Sequence, residues 1–409
     1  MLKKAASIIL SLLLLFNTAL SAGAQEQDPK LNSRSDFTWG VSMHTPYWGA
    51  AYFDTNLEDQ VHLAAELGCK LIRIDSHAPF EYLDKFMTLC WGYGIDVMLI
   101  VYFPGGETTG DQFSEEAISD YFYTFADRYN GKNGFGMAKY IQIDNELDHT
   151  LMMESYPDGN YVSGKDMSQY NQEYIANYAR QVQAAIDGIK RADSDVKTIV
   201  NFVGDRHGFL DYLYANGIEW DITGIDWYSN IFREGITPFW VGDKIHELYG
   251  KPIIVCETNM FGKDEYFDEN DPSNWDLLVE AFEDIYSKDY VLGCCIYELS
   301  DELITADDGG YDQEGHFGLL FTNEDGTIKE PKPVYYRFKE IFGGEDIEMP
   351  EYGEYLNKSG EIDFGDFTVS KAHRIWLTVG ITAVVLGVLS LCTALFLIFE
   401  LRKKRKSHQ

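Results

Sequence analysis

From Phe37 to Gly343 short apolar runs alternate with longer amphipathic ones. The short runs predict strands at Phe37–His44, Leu71–His77, Val97–Phe103, Tyr140–Leu147, Thr198–Gly204, Ile222–Ser229, Ile253–Asn259 and Gly293–Ser300. Helical spacing fills the intervals. In Leu57 to Leu67, for example, Leu57, Val61, Ala64 and Ala65 share one face. Further helices are predicted at Glu81–Trp91, Glu115–Tyr129, Asp166–Ala192, Gly208–Asn216, Thr237–Leu248 and Asn274–Tyr286. Lys332–Phe342 closes the series, with Pro331 and Pro333 at its start. Eight strand–helix units in about 300 residues predict an α/β chain folded as a (β/α)8 TIM barrel. An open doubly wound sheet is disfavoured, and no G-x-G-x-x-G follows the first strand to hold a dinucleotide.

The ends carry different patterns. Lys3 and Lys4, the apolar run Ile8 to Phe16 and Ala22-Gly23-Ala24 form the three parts of a signal peptide over residues 1–24. The barrel is expected over 33–343. Residues 344–374 are acidic, with Gly and Pro350 and little periodicity, and are expected to be a tether. Ile375 to Phe399 lacks charge; as a helix it would rise about 37 Å, enough to cross a bilayer. The basic residues Arg402 to Lys406 in the tail 400–409 would stay cytoplasmic. The expectation is a barrel outside the cell, held at the cell membrane by one C-terminal transmembrane helix.

The net charge of −33 offers no basic track for phosphates, which excludes nucleic acid as a partner. Aromatic residues make up 15% of the chain, enough to line a cleft with rings as well as fill a core. Cys69, Cys90, Cys256, Cys294, Cys295 and Cys392 include no C-x-x-C pair, so a structural zinc site is not expected. If Glu257 faces into the barrel, strict alternation turns Cys256 outward under the helices, beside Cys294; the two are then buried thiols or a bridge.

Polar residues close the strands: His44, Arg73, Asp75, His77, Tyr102, Asn145, Glu146, Asp226, Tyr228, Glu257, Asn259, Tyr297 and Glu298. A barrel gathers these positions around one mouth, where barrel enzymes keep their chemistry. Two ends stand out, Ile141-Gln142-Ile143-Asp144-Asn145-Glu146 on strand four and Ile253-Ile254-Val255-Cys256-Glu257 on strand seven. Each ends an apolar run in a glutamate, and opposite strands bring the two carboxyls across one mouth. A retaining glycosidase needs such a pair about 5–5.5 Å apart, one as nucleophile and one as acid and then base.

With these motifs the chain resembles the clan A retaining (β/α)8 glycoside hydrolases, which include cellulases, β-galactanases, β-mannanases and β-xylosidases. The resemblance covers Phe37 to about Gly343. It implies that Glu146 is the acid/base, that Glu257 is the nucleophile and that Asn145 holds the sugar 2-hydroxyl. It implies that Arg73 braces the nucleophile and that Tyr228 hydrogen-bonds it. Strict alternation would turn Asn145 outward, so the match requires an irregular strand end. Two positions depart from the pattern: Tyr297 stands where many members have Trp, and Asp226 where some have His.

His44, Trp48, Asp226 and Tyr297 complete the expected substrate-binding set, with Trp48 as a stacking platform after strand one. The histidines lack H-x-H or H-E-x-x-H spacing, so they are read as sugar or structural contacts; no metal or cofactor is expected. Asp301, Glu302, Asp307, Asp308 and Asp312 are read as a solvated acidic loop in preference to a calcium site. The function implied is hydrolysis of β-glycosidic bonds in an external poly- or oligosaccharide, with retention. The alternative is a catalytically inactive glycan-binding barrel on the surface.

Overall fold

A computed structural model describes residues 28–46, 56–104, 113–131, 136–152, 162–228, 239–260, 270–302, 314–323 and 325–349. Its strands are β1 (Thr38–Met43), β2 (Leu71–Asp75), β3 (Asp96–Val101), β4 (Ala138–Ile143), β5 (Lys197–Val203), β6 (Ile222–Asp226), β7 (Ile253–Thr258) and β8 (Val291–Ile296). Each pairs in parallel with the next, and β8 returns to β1 through Thr38↔Gly293 to Val41↔Ile296, closing the barrel. All eight expected strands and the expected barrel are therefore present.

Apolar runs on both faces explain why these segments become barrel strands: parallel strands are covered on both sides. One set of side chains, including Ile72, Ile74, Leu99, Ile141, Phe202, Ile225 and Cys294, packs under the helices. The alternate set, Leu71, Met98, Ile199, Ile222, Ile254, Cys256 and Cys295, forms a separate cluster inside the barrel. Gly224 is needed there, since a Cβ would lie 2.8 Å from the Cys256 sulfur and 2.7 Å from Asn201 Cβ. The helices follow the predicted intervals. Gln172–Ala192 starts at Asn171, whose side chain accepts from the Glu173 and Tyr174 backbone N–H groups, as an N-cap should.

The fold class needs one correction. A C-terminal transmembrane helix was expected, but among the described residues no helix is long and apolar enough to cross a membrane. Residues 1–24, 375–399 and 400–409, on which the leader, span and tail expectations rest, lie outside the described residues. The expected tether begins docked: Ile347 N–H donates to Glu66 Oε1 (3.2 Å), and Lys339 pairs with Asp346. This end of the chain is held because Lys339 also faces Glu66.

Cys256 is a second correction. The β6–β7 register shifts between Ile225↔Val255 and Asp226↔Glu257, leaving Cys256 as an extra residue. This bulge puts Cys256 in the inner cluster although Glu257 also turns to the mouth. Cys294 lies on the outer face, as expected, and both thiols are free and buried. The two sulfurs therefore face opposite sides of the sheet.

The acidic loop after β8 is not solvated at its start. Asp301 and Glu302 are buried, and Asp301 Oδ1 meets Lys332 Nζ at 2.7 Å with both side chains almost fully enclosed. Asp307, Asp308 and Asp312 lie outside the described residues. Lys332 also donates to the His316 carbonyl and precedes the closing helix Pro333–Phe342. Nearby, β9 (Leu320–Thr322) and β10 (Ile328–Pro331) form a hairpin that periodicity did not predict, because each is four residues or fewer. Lys332→Met should lower stability by about 3 kcal/mol, since it leaves the Asp301 charge buried without its cation. Urea unfolding measures this, and an unchanged midpoint would show the pair to be dispensable.

Candidate active site

The end of β4 is irregular, as the match required. Asp144 (φ 58°) and Glu146 (φ 51°) both take left-handed backbone, which residues with a Cβ rarely adopt. Asp144 holds the turn by accepting from the backbone N–H groups of Asn145 (2.8 Å) and Phe103 (3.2 Å). Alternation is broken here, so Asn145 and Glu146 both reach the mouth.

A relay of amides behind them fixes which way each group points. The Arg73 Nε–H can only donate, so Gln142 Oε1 accepts it at 2.9 Å. The Gln142 amide then donates to the Asp144 carbonyl and to Asn145 Oδ1, each at 2.9 Å. The Glu146 backbone N–H likewise can only donate, to Asn201 Oδ1 at 3.0 Å. The Asn201 amide therefore donates to Asn145 Oδ1 (2.9 Å) and Asp226 Oδ2 (2.7 Å). Arg73 Nη2 adds a third donor on Asn145 Oδ1, at 2.6 Å. With its oxygen so engaged, Asn145 turns its NH2 to whatever occupies the mouth.

Glu257 is held at both oxygens. Arg73 Nη1 donates to Oε1 at 2.8 Å and the Tyr228 hydroxyl donates to Oε2 at 2.6 Å. Carboxyl oxygens of Glu146, Asp226 and Glu257 lie within 4.8 Å of one another. Burial, then the neighbouring Glu257 charge, raises Glu146 to about 7. The same two causes push Asp226 well above the usual carboxylate range. Burial and the Glu257 charge also push the Tyr228 phenol up, so it stays a donor. The site thus combines a carboxylate held by Arg73 with a carboxyl able to carry a proton near neutral pH.

The remaining expected residues divide. His44 and Tyr297 meet at the mouth, with Nε2 3.1 Å from the phenol oxygen, and Asp75 faces His44 Nδ1 at 3.2 Å. Burial opposes the charged imidazole of His44, but Asp75, Glu302 and Glu257 outweigh it and raise its pKa. Asp226, expected to touch substrate, is completely buried and faces the two glutamates instead. Trp48 lies outside the described residues. Of the other tryptophans, Trp275 is buried in the core.

A cleft of about 600 Å³ opens beside Glu146, lined by His77, Tyr102, Asn145, His149 and Tyr178 among others. His77 and Tyr102 stack there, with centroids 4.3 Å apart. Donor atoms of His44, Glu298 and Glu302 also come within 4.8 Å of one another, close enough to hold a cation.

Sequence reasoning did not single out Gln142 or Asn201, though they orient the whole relay. The signal was present: each is a polar residue between two apolar ones at an inward position, in Ile141-Gln142-Ile143 and Val200-Asn201-Phe202. Both are buried, and inside a barrel such a residue needs partners.

No protein-family model matches the chain. An uncharacterized protein in the bgaB 5' region of Niallia circulans is 31% identical over 134 residues, covering 29% of this chain and 32% of that protein. The match thus spans about a third of that relative's length. Among solved structures, the family 1 β-glucosidase from Thermotoga maritima superposes with a TM-score of 0.53 and 12% identity, covering 78% of this chain and 99% of that one. The hyperthermophilic β-glucosidase from Pyrococcus furiosus gives a TM-score of 0.53 and 12% identity, covering 78% and 97%. The Thermotoga maritima enzyme in complex with deoxynojirimycin gives 0.53 and 12%, covering 78% and 100%. The chain shares the (β/α)8 barrel of these clan A enzymes, and at such identity the likeness carries the fold.

Proposed function

We propose that this protein is a retaining β-glycoside hydrolase acting on an extracellular poly- or oligosaccharide. The observation that carries the reading is the pair Glu146 and Glu257, with carboxyl oxygens within 4.8 Å across one mouth and Glu257 gripped by Arg73 and Tyr228. That separation suits attack by one carboxylate directly on the anomeric carbon; an inverting pair needs room for a water between. The β-glucosidase neighbours favour a β-configured bond. Work outside the cytoplasm is supported by the leader pattern at residues 1–24.

In this scheme Glu257 attacks the anomeric carbon while Glu146 gives its proton to the departing oxygen. A glycosyl ester on Glu257 results. Glu146, now ionised, takes a proton from water as the water oxygen bonds the same carbon and the ester breaks. Two inversions give net retention. In this reading the Asn145 NH2 donates to the sugar 2-hydroxyl, and His44 and Tyr297 meet its ring. The cleft with His77 and Tyr102 lies on the Glu146 side, where the leaving group must sit, because the acid has to reach its oxygen.

A panel of aryl β-glycosides and β-linked polysaccharides, followed by NMR of the first product formed, tests the reading. The expected first product is the β-anomer. An α-anomer would sink the double displacement. Binding of glycan without cleavage would make the chain a glycan-binding barrel instead.

A further inference from the structure

The strand-six carboxyl, Asp226, has no part in the two-carboxylate scheme, yet a carboxyl oxygen of it lies within 4.8 Å of oxygens on both glutamates. The relay fixes the role of one of its oxygens. Because the Glu146 N–H fixes Asn201, the Asn201 amide donates to Asp226 Oδ2 at 2.7 Å, and Oδ2 is an acceptor. Asp226 Oδ1 is buried and receives no donor from any described group. Carboxyl oxygens of Asp226 and Glu146 lie within 4.8 Å of each other, in a cluster that also holds Glu257. Ionised carboxylates only accept, so a bond between two carboxyls requires a proton on one of them. Arg73 donates to Gln142, Glu257 and Asn145 and to neither Asp226 oxygen.

We propose that Asp226 is a positioning residue for the acid/base, a neutral carboxylic acid that donates a hydrogen bond from Oδ1 to Glu146 throughout turnover. The proposal rests on Glu146 being the acid/base. In the first half-reaction the Glu146 proton leaves with the departing oxygen, and the Asp226 O–H supports the new Glu146 anion. In the second, Glu146 regains a proton from water. Asp226 begins and ends with the same proton.

The charged and titratable groups around Asp226 agree with this. They are Glu146 after β4, Glu257 and Cys256 on β7, Arg73 on β2, Tyr228 after β6 and Cys295 on β8. Burial and the Glu257 charge favour the neutral acid, and Arg73 opposes them from a distance. The same hydrogen bond lowers Glu146, against the burial that raises it. A histidine at this position, when charged, would act on Glu146 through charge; a neutral acid acts through one directed bond.

Two measurements test the proposal. The first needs no substrate: infrared spectra of protein labelled with 13C at the aspartate carboxyl, at pH about 8, one unit above the Glu146 value of about 7. A neutral-carboxyl C=O band is expected that Asp226→Asn removes. Asp148, also buried and pushed up, gives a second such band that only Asp148→Asn removes. If Asp226→Asn leaves every neutral band in place, the proposal is overturned, whether or not the chain hydrolyses glycosides. The second measurement is the pH profile of kcat/KM. Asp226→Asn exchanges one neutral donor for another, so the alkaline limb should stay within about half a unit. Asp226→Ala removes the donor and should raise that limb by about one unit, because the Glu146 anion loses a hydrogen bond. A fall of a unit or more in Asp226→Asn would mean that a negative charge had been removed, and would overturn the proposal. An inactive wild type that still shows the Asp226 band would end the enzymatic reading and support the protonated pair.

Discussion

Glu257→Ala is expected to lower turnover by about 10⁵-fold on every glycoside, the order of loss seen when a covalent nucleophile is removed. Glu257 is held at both oxygens at the mouth, one by the Arg73 guanidinium and one by the Tyr228 hydroxyl. The loss should not depend on the leaving group, because without the carboxylate no glycosyl ester forms. Folding should survive, since the neighbouring core under β7 is formed by Ile253 and Val255. Steady-state rates on a dinitrophenyl glycoside and on a natural disaccharide decide this. A loss below about tenfold on either would place the nucleophile elsewhere.

Glu146→Ala should behave differently. A dinitrophenolate needs little proton donation, so the glycosylation step should survive on that substrate. Deglycosylation loses its general base and should slow by about 10³-fold, giving a burst followed by accumulation of the glycosyl-enzyme. Azide, which needs no base, should restore turnover and yield a β-glycosyl azide from a β-glycoside. The pH dependence follows from the raised value of Glu146. It carries a proton below about 7 and loses it above, so wild-type kcat/KM on poor leaving groups should fall as pH rises through about 7. In Glu146→Ala that limb should be absent on the activated substrate. An unchanged alkaline limb in the variant would assign the titration to another group.

Much of this was legible beforehand. The eight strands and the helices between them follow from local period, and a closed barrel from their number and order. The positions of Arg73, Tyr228 and the two glutamates at strand ends were visible as polar residues closing apolar runs. The hairpin β9–β10 was not, because runs this short carry no period. Gln142 and Asn201 were visible as polar residues flanked by apolar ones, but nothing local says that Asn201 joins Glu146 to Asp226. Those residues are brought together from β4, β5 and β6.

The sequence by itself determined which segments are strands, which face of each helix is buried and which residue types end the strands, because a few neighbouring side chains decide each of these. Only the tertiary structure decided how those ends meet. Strict alternation turns both Asn145 and Cys256 outward; the resemblance already required an irregular end at Asn145, whereas the outward reading of Cys256 depended on its strand staying regular. Left-handed backbone at Asp144 and Glu146 broke the rule on β4, and an extra residue at Cys256 broke it on β7. Such irregularities are stable only where distant groups hold them, here Asn201 and Phe103 at the end of β4 and the β6 register beside β7. The proposed protonation of Asp226 belongs to the same class, since it is set by carboxyls from three strand ends that come within 4.8 Å of one another.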